Sequence, residues 1–366
     1  MVGGLLFHKH SRTHSIQRAH SQRSMLRYGL AFFLVFVLGL YTFSPSHMDH
    51  IDSFRPERTT SLAQPPQIAV MSMLYGDRNT LYERAIKSHE RHAARHGLPI
   101  HILRNNVADG FWNKPSYILS LLIAELAKNP EERATWLQWV DGDSIIIDPE
   151  LKSEMFLPPP DFDHINYLVA KDQNGMNTGI FFLRVCDWSI KFMAKALAYP
   201  LFRPDIDLGR SADQVAMELV ANETEYRDAT LYQPRIWYNT YEFHHGYEGE
   251  AGRMLVHFPG LEEDRWEHME KWLDIVEGPK AAEWMLPLEQ TAYPAEINRF
   301  WAELREARKA VRSAEWFIGD KPHVPSDVTT AYERVKMLMQ YGTDNIDGMV
   351  EATRSLNEAM GNVHVS

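Results

Sequence analysis

Trp136-Leu137-Gln138-Trp139-Val140-Asp141-Gly142-Asp143-Ser144-Ile145-Ile146-Ile147-Asp148 is an apolar, aromatic-rich run interrupted by two carboxylates around one glycine. A run of this kind predicts a buried strand. Residues i and i+2 of an extended chain point to the same side, so Asp141 and Asp143 project together from the strand's end. Two carboxylates that close repel unless a proton or a cation stands between them. Hard divalent cations such as Mn²⁺ and Mg²⁺ prefer oxygen ligands, and open α/β sheets bind their ligands beyond the strand ends. Alone, the motif also fits a solvated turn or a calcium loop, so its surroundings decide.

Upstream, Gln67-Ile68-Ala69-Val70-Met71-Ser72-Met73 reads as a short strand running into the turn Tyr75-Gly76-Asp77. A helix is expected from Thr80 to His96 with Gly97 as its cap, then a strand over 98–103. Trp112-Asn113-Lys114-Pro115 opens another helix, with proline in the first turn and Ile118, Leu121, Leu122 and Leu126 on one face. Strand, helix, strand, helix, strand predicts a parallel sheet covered by helices. His89, His92 and His96 share a helix face, and their basic neighbours suggest a solvated one. Their spacing is not that of a zinc protease.

Downstream, strands are expected over 166–170, 178–185 and 254–257, and helices over 187–198 and 212–221. From about Pro294 the pattern is wholly helical. Ile297, Phe300, Trp301, Leu304, Val311 and Phe317 form a stripe of core type, and one further helix over 328–362 would pair with it as a hairpin. No internal repeat is present.

The 366 residues are 45% hydrophobic, ample for one large α/β domain with attachments. Residues 1–27 carry Lys9, Arg12, Arg18, Arg23 and Arg27 and no acid. Removing those five from a chain of net charge −11 leaves −16. No basic stripe interleaved with aromatics appears, which excludes a nucleic-acid binder of the usual kind. Residues 28–48 hold no charged side chain, long enough to span a thin bilayer. Basic residues before the span and Asp49 and Asp52 after it put the N-terminus in the cytosol. The expectation is a type II anchor rather than a cleaved signal, since the basic head is long and no clear cleavage site follows. Pro45, Pro56, Pro65 and Pro66 mark a stem. The lone Cys186 rules out an intrachain disulfide. Asn222-Glu223-Thr224 is a glycosylation sequon that would face a lumen.

Four segments follow the acidic pair in order: Asn174-Gly175-Met176-Asn177-Thr178-Gly179-Ile180-Phe181-Phe182-Leu183-Arg184, Cys186-Asp187-Trp188-Ser189, Asp213-Gln214 and His257-Phe258-Pro259-Gly260. With Trp112-Asn113-Lys114-Pro115 ahead of them, the set resembles glycosyltransferase family 34 over about residues 67–275. That family holds fungal-type Golgi galactosyl- and mannosyltransferases and plant xyloglucan xylosyltransferases. The resemblance implies a GT-A, Rossmann-like α/β fold, a nucleotide-sugar donor, Mn²⁺ and retention of anomeric configuration. It assigns Asp141, Asp143 and His257 to the metal, and Asp213 and Gln214 to catalysis beside the transferred sugar. It associates Lys114 with the donor. Gly260 would admit the diphosphate to the backbone, and the turn of Tyr75, Gly76 and Asp77 stands where a Rossmann-like sheet receives its nucleotide. Asn177 and Gly179 fit either a donor-side contact or a tight turn.

The expected layout is then a cytosolic tail (1–27), a transmembrane anchor (28–48), a stem (49–66), a GT-A domain (67–285) and a helical extension (286–366). The implied protein is a Golgi hexosyltransferase, its domain lumenal, using UDP-galactose or GDP-mannose on a glycan acceptor, alone or with other Golgi glycosyltransferases. One departure opens an alternative. Plant members commonly continue the His-Phe-x-Gly segment with cysteine and lysine, whereas Leu261-Glu262-Glu263-Asp264 follows here. The lost lysine could be replaced by Arg265 or Arg253, or the chain could be a non-catalytic subunit of a transferase complex.

Overall fold

The structure is a computed structural model that describes residues 67–76, 79–319 and 324–363. Its elements in chain order are β1 (Ile68–Met73), α1 (Thr80–His96), β2 (Ile100–Leu103), α2 (Asn113–Leu126), β3 (Trp136–Val140), β4 (Ser144–Ile146), β5 (Tyr167–Asp172) and β6 (Gly175–Arg184). There follow α3 (Asp187–Phe202), α4 (Ala212–Ala221), β7 (Thr230–Tyr232), the small hairpin β8 (Glu242–Phe243) and β9 (Gly246–Tyr247), β10 (Leu255–His257) and α5 (Arg265–Glu277). The chain closes with α6 (Tyr293–Gly319), α7 (Ser326–Tyr341) and α8 (Ile346–Val363).

The main sheet has the order β2-β1-β3-β6-β5-β7. Strand β1 runs parallel to β2 and β3, whereas β6 is antiparallel to both β3 and β5. The three strands of the alternating run are thus parallel, as that pattern predicts, and the sheet becomes mixed only where β6 enters it. The cause is local. Strands β5 and β6 meet through the turn after Asp172, whose Oδ1 accepts the Asn174 N–H and where Gly175 takes φ 109°. So short a connection can join only antiparallel strands, because parallel ones need a crossover. The expected breaks inside this hairpin (170 and 178) fall where the strands in fact continue.

Strand β3 alternates as a twice-covered strand must. Leu137 and Trp139 face a core built with Ile118 and Leu122 of α2, Phe192 and Met193 of α3 and Met217 of α4. Trp136 and Val140 face the opposite core, which contains Phe156, Trp237, Phe300, Leu304 and Leu356. Helices thus cover both faces, as a GT-A-type layout requires, and the strand ends are left to carry the site.

Helix α1 begins and ends where its signals place it. Asn79 Oδ1 accepts from the backbone N–H groups of Leu81 and Tyr82, and Gly97 caps the end at φ 66°. Its histidines correct the expectation of a solvated face. His89 and His92 are buried. Their Nε2 atoms lie 3.0 Å from the Ser144 carbonyl and 2.8 Å from that of Leu151, with His96 2.8 Å from that of Pro149. The histidine face holds the segment that carries β4.

The C-terminal region is a second correction. The single helix expected over 328–362 is two, α7 and α8, broken at Gly342-Thr343-Asp344-Asn345. Thr343 Oγ1 donates to the Tyr232 carbonyl at 2.5 Å, and Asn345 Oδ1 accepts the Gly348 N–H at 3.0 Å. Turn residues that cap a new helix win over continued apolar periodicity. Among the described residues, no helix is long and apolar enough to cross a membrane. The expected tail, anchor and stem of residues 1–66 lie outside the described residues, as does Asp77.

Candidate functional site

The ladder between β3 and β6 extends one step past Val140, where the Asp141 N–H donates to the Gly179 carbonyl at 2.8 Å. After Gly142 the chain enters β4, which pairs antiparallel with β10 so that Ser144 faces His257. The Phe258 N–H donates to the Asp143 carbonyl at 3.0 Å. This register carries His257 across a long stretch of sequence to the side of the acidic pair. One ligand atom each of Asp141, Asp143 and His257 lie within 4.8 Å of one another. Two carboxylate oxygens and an imidazole nitrogen, His257 Nε2 standing 3.3 Å from Asp143 Oδ1, suit a divalent cation such as Mn²⁺. Gly179 makes the room: a Cβ there would collide with Cε1 of the imidazole.

Lys114, at the start of α2, is buried and its Nζ lies 2.9 Å from Asp141 Oδ1 and 3.8 Å from Asp213 Oδ2. The same ammonium donates to the Thr178 carbonyl at 3.0 Å. Burial works against its charge, but Asp141 and Asp213 outweigh burial and hold it above the ordinary lysine value. Trp139 donates its indole N–H to Asp141 Oδ1 at 2.7 Å, which orients that carboxylate. On the other flank, Arg265 Nη1 stands 3.4 Å from Asp143 Oδ2 and donates to the Tyr82 hydroxyl at 2.9 Å. Burial pushes the Asp143 carboxyl up, but His257 and Arg265 more than reverse this and hold it below the usual carboxylate value.

Asp213, in the first turn of α4, is buried. Burial pushes its carboxyl up by more than Lys114 pulls it down. Gln214 Oε1 accepts from the Thr178 N–H at 2.9 Å, which commits its oxygen and leaves its amide nitrogen as the free end. Lys114, Asp141, Asp143, Thr178, Asp213, Gln214 and Arg265 all line one cleft of about 520 Å³. The volume suits a ligand of nucleotide size.

The structure brings most of the expected residues together and sets some apart. Tyr75 lines the cleft and accepts from Asn113 Nδ2 at 2.9 Å. Gly76 and Gly260 do not line it, although both take a left-handed backbone conformation. Asn177 and Gly179 lie behind the metal-ligand group rather than on the cleft wall, Asn177 Oδ1 accepting the Gly179 N–H at 3.0 Å. Asn222 is half-buried at the end of α4. Of the two arginines weighed against the missing lysine, Arg265 is at the site. Arg253 is spent on Glu296, with both contacts at 2.9 Å. Sequence reading missed Tyr82, in the first turn of α1, and Asn239, whose Oδ1 lies 2.7 Å from His257 Nδ1. Nothing in the local sequence marks Asn239, because its partner is reached only through the fold.

No family model matches the chain. Xyloglucan 6-xylosyltransferase 4 of Arabidopsis thaliana is 25% identical over 210 residues, 50% of this chain and 39% of that protein. Probable xyloglucan 6-xylosyltransferase 1 of Oryza sativa subsp. indica is 29% identical over 206 residues, 50% of this chain and 45% of that protein. Galactomannan galactosyltransferase 1 of Cyamopsis tetragonoloba is 30% identical over 94 residues, 23% of this chain and 19% of that protein. The chain spans less than half the length of these curated relatives. Among solved structures, a glycosyltransferase involved in glycosylation of the major capsid of PBCV-1 aligns with TM-score 0.45 and 14% identity, covering 56% of this chain and 100% of that one. The relatives are sugar transferases of the kind the ordered motifs resemble, and the resemblance to glycosyltransferase family 34 holds.

Proposed function

We propose that the chain is a metal-dependent glycosyltransferase that moves a sugar from a nucleotide donor to a glycan with retention of configuration. The observation that carries this reading is the convergence of Asp141, Asp143 and His257 within 4.8 Å, at the head of a cleft that also holds Lys114, Asp213 and Arg265. A bound Mn²⁺ would supply Lewis-acid charge for the departing diphosphate. Arg265 offers a second cation beside the same carboxylates, in place of the lysine missing after Gly260, which favours a catalytic chain over a non-catalytic subunit. Lys114 balances Asp141 and Asp213 and fixes the floor of the site. Because the Gln214 oxygen is committed to Thr178, the carboxyl of Asp213 is the group left to face positive charge developing on the sugar.

The donor is UDP-galactose or GDP-mannose, with nucleotide-linked xylose joining the panel because of the named relatives. The test is donor hydrolysis and transfer by the purified full-length chain with each nucleotide sugar. Turnover should require Mn²⁺ and fall by about a hundredfold or more in Asp143→Ala, in the range set by removing a group that stabilises transition-state charge. Undiminished turnover in excess EDTA sinks the reading. The compartment belongs to the same proposal: a type II Golgi protein whose domain is lumenal. Protease added to sealed microsomes should then remove only the basic tail, and digestion of the domain without detergent would overturn that topology.

A further inference from the structure

We infer that a buried relay of amides, from Asp172 through Asn177 and Asn239, sets the tautomer of His257 and so makes Asn239 a positioning residue for the metal. The inference rests on the metal-site reading above. Its observation is a directional hydrogen-bond chain. Asp172, at the end of β5, can only accept when ionised, and its Oδ2 takes the Asn177 Nδ2 donor at 3.1 Å and the Tyr241 hydroxyl at 2.9 Å. Asn177 must therefore turn its oxygen the other way, where it accepts from the Gly179 N–H at 3.0 Å and Asn239 Nδ2 at 2.8 Å. Asn239 is then left with its own Oδ1 toward His257 Nδ1, 2.7 Å away.

Each member has one allowed orientation. Reversing Asn177 would set its oxygen against the Asp172 carboxylate and its NH₂ against two donors. Reversing Asn239 would set its oxygen against the Asn177 oxygen. Asn177, Asn239 and His257 are all buried, so water does not relieve a mismatch and an unmade bond is costly. The chain is thus read from a fixed acceptor at one end to a forced donor at the other. His257 carries its proton on Nδ1, and Nε2, 3.3 Å from Asp143 Oδ1, is the nitrogen that faces the carboxylates. There it can hold a proton or a metal ion. A histidine that ligates through one nitrogen is oriented by what the other nitrogen donates to.

The test uses the full-length chain in detergent, labelled with ¹⁵N-histidine, metal-free at pH 8.5. His257 is assigned by its absence in His257→Gln. Wild-type His257 should show a pyrrole-type Nδ1 and a pyridine-type Nε2, and Asn239→Leu should shift the balance toward Nε2–H. In parallel, Mn²⁺ binding is titrated by electron paramagnetic resonance without any donor. Asn239→Leu should weaken it about 10- to 100-fold, the usual cost of losing an orienting partner of a metal-bound histidine. An Nε2–H tautomer in the wild type overturns the inference without any variant. So does unchanged Mn²⁺ affinity in a folded Asn239→Leu, and if Asp143→Ala abolishes binding in the same series the metal reading survives while the relay falls. A wild type that binds no Mn²⁺ removes both.

Discussion

At the level of single residues, the acidic pair was legible as two carboxylates around one glycine where an apolar strand ends. Strand alternation does not itself set their geometry, because β3 stops at Val140 and Gly142 and Asp143 form the turn into β4. His257 was legible only as part of an ordered motif set, since its place depends on the register of β4 with β10. Gly179 illustrates what local reading lacks. It reads as a turn glycine or a substrate contact, yet its physical role is clearance for an imidazole far along the chain. Gly179→Ala should therefore behave as a displacement of His257. Mn²⁺ affinity is expected to fall about 10- to 100-fold, as when an orienting contact to a ligand is lost, with a stability cost of about 1–3 kcal/mol from overpacking. Isothermal titration with Mn²⁺ and urea unfolding measure the two effects. Normal metal affinity in the alanine variant would mean that the imidazole does not sit where the structure has it.

At the level of elements, Gly97 and Pro115 located α1 and α2 closely because they act on their own neighbours, and apolar periodicity located α4; the cap Asn79 was found only in the structure. Strand direction was legible where helices alternate with strands, so β1, β2 and β3 are parallel as expected, but nothing local to β5 and β6 was read for direction, and their short turn makes that pair antiparallel. The histidine face of α1 misled for another reason. Histidine at i, i+3 and i+7 is compatible with water or with buried carbonyls, and the apolar company of Ala85, Ile86 and Ala93 was the signal for burial. This face makes stability depend on pH. Burial, the leading cause at both positions, pushes His89 down to about 3 and His92 to about 4. The unfolded chain takes up these protons near the ordinary histidine value of about 6.5, so between there and about 4 it binds more protons than the native state. Stability is then full above about 6.5 and is lost as pH falls. At pH 5 the loss is about 2 kcal/mol per histidine. Carboxyls raised in the fold, such as Asp213, work in the opposite direction, so the comparison has to be between variants. His92→Phe should lower stability at pH 7 but flatten the decline from pH 7 to 5 by about 2 kcal/mol relative to wild type. Parallel urea curves for the two proteins at both pH values would refute the assignment.

At the level of the whole molecule, the C-terminal helices were legible as helices but not as part of the core that supports the site. Tyr293 donates its hydroxyl to the Trp237 carbonyl at 2.5 Å and accepts the Met254 N–H at 3.0 Å, just before β10. Glu296 accepts from the Trp237 indole at 3.0 Å and from buried Arg253. Phe300 meets Trp237 edge to face at 5.1 Å. At the far end, the α7–α8 turn holds β7 through Thr343, and Lys171 of β5 donates to the Tyr341 carbonyl. These contacts grip the segments that lead into Asn239 and into His257, so the helices and the sheet should unfold together. Glu296→Gln removes the anion that compensates Arg253. A fully buried pair broken this way costs about 3–5 kcal/mol. Glu296 is a third exposed, so about 2 kcal/mol is expected here. A chain ending before Tyr293 loses all of these contacts at once and uncovers Phe156, Trp237 and Tyr238. It should lack a cooperative thermal transition and should bind Mn²⁺ no better than Asp143→Ala does. If that shortened protein instead melts cooperatively and keeps wild-type Mn²⁺ affinity, the helices are a separable attachment and the site is built by the sheet alone.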